Sequence, residues 1–121
     1  MFIEHKYKGT SVYNEVLERL KVIATNRHRA DYSTVFAIMD LKPGNHAARE
    51  AGHLLGEICD QMHKEGKPML SALVVRQDTG KPGDGFFETT TKLGRLPTNA
   101  SEQEKDEFWR REVNAVFATS W

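Results

Sequence analysis

The stretch from His46 to Lys64 limits most strongly what this chain can fold into. Ala47, Ala48, Ala51, Leu54, Leu55, Ile58 and Met62 recur at the spacing of one helical face, so the segment predicts an amphipathic helix that must bury one side. Pro43-Gly44 before it, and Gly66 with Pro68 after it, set its ends. The rest of the chain has to supply the cover for that apolar side.

Two further helices are predicted by the same rule. After Gly9, Tyr13, Val16, Leu17, Leu20, Ile23 and Ala24 share a face, Thr10 and Ser11 can accept from the first free amides, and the helix ends near Asn26. Ser101-Glu102-Gln103-Glu104 has capping-box spacing, and Phe108, Trp109, Val113, Val116 and Phe117 follow on one face of a closing helix. Between these, Asp31 caps a short helix lined by Tyr32, Val35, Phe36 and Met39, although Thr34–Ile38 also suits a buried strand; the turn Leu41–Asn45 favours the helix.

Leu70–Val75 is short, apolar and β-branched at its end, and predicts a buried strand. The turn-rich run Asp78–Gly85 then leads to a return strand near Phe86-Phe87-Glu88, with a helical turn over Thr90–Gly94. Phe2–Lys8 alternates irregularly and predicts an edge strand or an arm. The expected fold class is α+β and winged-helix-like: three helices, a β-hairpin and a C-terminal helix. Residues 1–121 form a single expected domain, because Pro97–Ala100, the one linker-like stretch, is too short to separate two.

Composition narrows the function. Seventeen Lys and Arg balance seventeen Asp and Glu, which argues against a broad positive field for nonspecific adhesion to nucleic acid or acidic membrane. The single cysteine, Cys59, cannot form an internal disulfide or the paired thiolates of a structural zinc site, which fits a reducing compartment. No signal-like start and no apolar run of roughly 18 residues is present, so a cytoplasmic protein without membrane contact is expected.

His46, Glu50, His53 and Glu57 fall at i, i+4, i+7 and i+11, within about 60° of one another on the long helix. Glu50-Ala51-Gly52-His53 has the Glu-x-x-His spacing of carboxylate-bridged metal sites, but no second such motif occurs, so a solvated helix face is expected. Cys59 and His63 stand one turn apart, which puts a thiol beside a possible base; a thiolate late in a helix lacks the help of a helix N-terminus. Ser71 lacks the Gly-x-Ser-x-Gly turn of an exposed nucleophile. Gly80-Lys81-Pro82-Gly83-Asp84-Gly85 has neither the Walker order nor the dinucleotide order and reads as a hairpin loop. Arg27, His28 and Arg29 form the densest basic cluster; Arg76 and Lys81 lie near the expected hairpin.

Two resemblances extend this reading. Asp31–Ala37 followed by Asn45–Gly56 resembles helices of the alkyltransferase-like DNA-repair domain, which implies a winged helix and minor-groove binding. The Pro-Cys-His-Arg signature is absent, with Lys67-Pro68-Met69-Leu70-Ser71 in its place, so alkyl transfer is rejected. Pro68–Val75, Pro82–Phe87 and Phe108-Trp109 with Glu112 resemble a signature of small bacterial and phage proteins, which implies a phage or mobile-element setting and no particular activity.

The expected function is a non-catalytic binding module for nucleic acid or a protein partner. His46, Arg49, Glu50 and His53 would meet the partner, Arg76 and Lys81 would add contacts, and Arg27 and Arg29 would touch phosphates. No metal or cofactor is expected, and Trp121 marks a possible homodimer contact. The alternatives are a small metal- or ligand-dependent enzyme using His46, Glu50, His53 and Glu57, and an inhibitor of a host defence protein.

Overall fold

The structure, a computed structural model, describes residues 4–121. Its elements are α1 (Ser11–Thr25), β1 (Ala30–Asp31), α2 (Tyr32–Met39), α3 (Asn45–Lys64), a 3-10 turn (Leu70–Leu73), β2 (Val74–Val75), α4 (Asp84–Lys92) and α5 (Glu102–Phe117). The fold is mostly helical α+β. Helix α3 lies at its centre, packed against α2, α4 and the 3-10 turn. Ala47, Ala51, Leu54, Leu55, Ile58 and Met62 are buried as their spacing predicts, whereas Ala48 is exposed.

Local sequence explains where the helices begin. Thr10 accepts from the Tyr13 amide, Asp31 from the Ser33 amide, and Ser101 exchanges hydrogen bonds with Glu104 in a complete capping box. Four helices end alike, with two backbone bonds closing over a left-handed residue: Arg27, Asp40, Gly66 and Gly94 after α1, α2, α3 and α4. Glycine adopts that conformation without strain, while Arg27 and Asp40 hold it at φ 56° and 57° against their own Cβ atoms.

The segment Met69–Val74 runs through the core, with every residue at most 4% exposed. It is not the strand its composition predicts. Four of its residues form the 3-10 turn, in which the Ala72 amide donates to the Met69 carbonyl at 3.0 Å. Only Val74 and Val75 pair as a strand, in parallel with Ala30 and Asp31, so that α2 and α3 make the crossover. Helix α5 supplies two further partners. Trp109 Nε1 donates to the Ala72 carbonyl at 2.9 Å, and Glu112 Oε1 accepts from the Met69 amide at 3.0 Å.

The winged-helix expectation is corrected at its wing. β2 pairs with the upstream β1 and not with a following strand, and residues expected to return as a strand form α4. Phe86 and Thr90, one turn apart, are the buried face of that helix. The threonines that favour a strand are accommodated because the Thr90 and Thr91 hydroxyls donate back to the Phe86 and Phe87 carbonyls. Asp84 in the first turn and Lys92 in the last complement the helix dipole.

Two terminal expectations also change. Phe2 and Ile3 lie outside the described residues, and from Glu4 to Lys8 the chain is an irregular arm along α3, not a strand. Trp121 is half-buried on its own chain: its Nε1 donates to the Val116 carbonyl at 2.9 Å and Lys67 Nζ stands 5.6 Å from its ring.

Trp109→Phe removes the donor to a buried carbonyl and part of the core volume, and is expected to cost about 2–3 kcal/mol in denaturant unfolding. Arg27→Gly relieves the left-handed strain and is expected to raise stability by about 0.5–1 kcal/mol, read as a higher Tm.

Candidate functional site

The polar face of α3 is covered by the arm. Glu57 is 0% exposed, and its carboxylate accepts from the Tyr7 amide at 2.9 and 3.0 Å and from the Lys8 amide at 2.9 Å. Two backbone donors therefore replace the water that a carboxylate loses on burial. His53 Nε2 completes the cover, 3.3 Å from Glu57 Oε2 and 3.1 Å from the Glu4 carbonyl, to which it donates. The Tyr7 ring lies edge-on to His53 at 6.1 Å.

On either side, side chains fasten the arm. Lys6 and the Tyr7 hydroxyl both donate to Glu50, and these bonds hold the Glu50 carboxyl down to about 2. His5 Nε2 lies 3.1 Å from Asp60 Oδ2, which Lys64 also meets at 2.9 Å. Burial alone would raise the Asp60 carboxyl, but Lys64 and His5 together outweigh it and hold the group below its ordinary range.

The expectation of a solvated His46, Glu50, His53 and Glu57 face is therefore corrected. Only His46 is exposed; Glu50 and His53 are half-buried under the arm and Glu57 is fully enclosed. Periodicity could not show this, because the covering amides lie about 50 positions away in sequence. Among the described residues, no group of three or more His, Cys, Asp or Glu is arranged to hold a metal ion.

The other candidates separate into further groups. Arg49 is exposed on the second turn of α3. Arg76 is engaged by Asp78 at 2.7 Å, and Lys81 by Asp106 at 3.0 Å, where Arg110 also pairs at 2.8 Å. Arg29 lies over the Trp109 ring at 5.1 Å, and Arg27 is exposed at the end of α1. The eight predicted residues do not converge on one site. His46, Arg49, Glu50 and His53 belong to α3 and its arm, whereas Arg29 and Lys81 attach to α5.

Cys59 faces Ser71, not His63. Its Sγ is 2.8 Å from Ser71 Oγ, both residues are buried, and burial pushes the thiol up to about 11. At neutral pH it is therefore a protonated thiol, the opposite of an activated nucleophile. His63 Nδ1 instead accepts from Arg95 Nε at 3.0 Å. The glycine loop also departs from expectation, since Gly83 opens a helix instead of turning a hairpin. Its amide donates to the Tyr32 hydroxyl at 3.3 Å, and a Cβ at this position would stand 3.2 Å from that oxygen, so a larger residue would push the Tyr32 hydroxyl back by a few tenths of an ångström.

Searches of family models, curated proteins and solved structures found no match to this chain. No helix among the described residues is long and apolar enough to cross a membrane.

Glu57→Ala is expected to free the Tyr7 and Lys8 amides, read as faster hydrogen exchange there, and to destabilise the fold by about 2–3 kcal/mol. Glu50 and Asp60 both have depressed folded pKa values, so what they contribute to holding the arm is present above the ordinary carboxylate range. It is lost as pH falls through the folded value. The amide chemical shifts of Tyr7 and Lys8 should move towards unfolded values between pH about 4.5 and about 2 in the wild-type protein.

Proposed function

We propose that this chain is a non-catalytic binding module that meets a protein partner through the first two turns of α3 and the arm beside them. One observation carries the reading. The cations best placed for phosphate on the loop after β2, Arg76 and Lys81, are already held by Asp78 and Asp106, whereas His46 and Arg49 stand exposed next to the Lys6–Glu50 pair. The surface on α3 thus sets one acid, Glu50, among Lys6, Arg49 and His46. Such a mixed patch suits a partner of matching mixed charge, and gives less to a uniformly negative duplex than an all-basic one would. The chain's zero net charge points the same way.

A nucleic-acid form of the same reading uses α3 in the manner of a winged-helix reader, with the loop after β2 in place of the wing and with Arg27 and Arg29 on phosphates. Arg27 favours this form, because an arginine in a left-handed position forgoes stability that glycine would give. The phage or mobile-element setting is proposed alongside it on the resemblance alone, as is a cytoplasmic location on the single reduced cysteine.

The two forms differ in their response to salt. A protein captured by the wild-type chain and lost by His46→Glu with Arg49→Glu, at unchanged Tm, is the expected outcome. Duplex binding at low salt that falls steeply as salt rises would replace the protein reading with the nucleic-acid one.

A further inference from the structure

Helix α2 is apolar on nearly all sides, yet Val35 is its only fully buried residue. By the 100° step, Tyr32, Val35, Phe36 and Met39 share its inner side and Thr34 and Ala37 point the other way, with Ile38 at the border, half-buried and packed against the core. Thr34, Ala37 and Ile38 line an open groove between α1 and α2, together with Ser33 and with Glu15 and Arg19 of α1. Ala37 is exposed, and one turn beyond Arg19 stands Val22, 55% exposed, an uncovered large apolar side chain.

The charges bordering this groove are balanced and unused. Glu15 and Arg19 stand at i and i+4, the favourable order for an intrahelical pair, yet among the described residues neither takes part in an ion pair. We infer that the α1–α2 face is a two-fold interface between two copies of this chain, in which Glu15 of each copy meets Arg19 of the other across the Ala37 and Ile38 strip. A two-fold axis brings the same patch to itself, so a surface carrying one acid and one base beside an apolar strip supplies its own complement twice. A different partner would need an equal apolar strip and the opposite charge order at the same spacing. A second copy has both by symmetry, and zero net charge leaves no long-range repulsion to overcome. This face is made by α1 and α2, so it does not depend on the reading of α3 given above.

Sedimentation equilibrium over a range of protein concentrations tests it. The wild-type chain should show a monomer–dimer equilibrium that weakens as salt is raised. Arg19→Glu turns two attractive pairs into repulsive ones and should raise the dissociation constant about tenfold or more. Glu15→Arg combined with Arg19→Glu restores the pairs with their signs exchanged and should recover the dimer. Ala37→Arg, at an exposed position in the middle of the strip, should leave a folded monomer with wild-type helical circular dichroism. A chain that is monomeric at every concentration overturns the inference. So does a dimer indifferent to Arg19→Glu or Ala37→Arg, and so does a double charge-swap variant as weak as Arg19→Glu alone.

Discussion

The rest of the fold depends on how Met69–Val74 crosses the core, since six successive residues are removed from water with no full sheet to take their backbone groups. A buried amide or carbonyl without a partner costs about 1–3 kcal/mol, so a stretch of this length cannot be left to packing alone. The solution is composite. The 3-10 turn satisfies part of the segment internally, β1 pairs with its last two residues, and α5 reaches in with Trp109 and Glu112 for the Ala72 carbonyl and the Met69 amide. This fixes the position of α5 against the centre of the molecule, and with it the place of Asp106 and the loop that Lys81 anchors.

That composite accounts for what the sequence did and did not make legible. α1, α3 and α5 were readable because their apolar residues recur at 3.6-residue spacing over many turns and their caps lie beside them. Helix α2 was ambiguous over eight residues and is settled by Asp31 at its start and the left-handed Asp40 at its end. Leu70–Val75 reads as a strand because a fully buried 3-10 turn and a fully buried strand present the same continuous apolar run. Phe86–Glu88 then reads as its partner, since the next apolar pair after a glycine-rich loop is the natural return of such a strand. The actual partner, β1, is two residues long and carries no sequence signal of its own.

The residues of the Pro68–Val75, Pro82–Phe87 and Phe108–Glu112 pattern acquire a physical meaning from the same arrangement. Met69, Ala72, Trp109 and Glu112 are the two hydrogen-bonded joints between the buried segment and α5. Gly83 is where α4 starts in contact with Tyr32, and Phe86 turns inward from its first turn. A pattern built from these positions describes how a core is clamped and leaves a surface open to differ. It therefore speaks to architecture far more than to a partner.

Function has to be sought among groups that the fold leaves free, and the division is uneven. Glu57, Cys59 and Ser71 have the appearance of chemistry in a one-dimensional reading, yet Glu57 is engaged by amides that the fold brings from far along the chain, and Cys59 and Ser71 by each other. In Glu57 this goes furthest, because the arm gives it two amides and its own helix gives it His53, so a residue that looked like a ligand is a fastening point. The arm in turn converts an acidic helix face into one carrying Lys6 next to Glu50 and His46. On α3, Arg49 and His46 remain exposed beside the Lys6–Glu50 pair, and on α1 Glu15 and Arg19 border the groove with α2. On the function proposed above, a chain that neutralises its loop cations internally while leaving mixed surfaces open would draw its binding energy from matched short-range contacts and not from a long-range field.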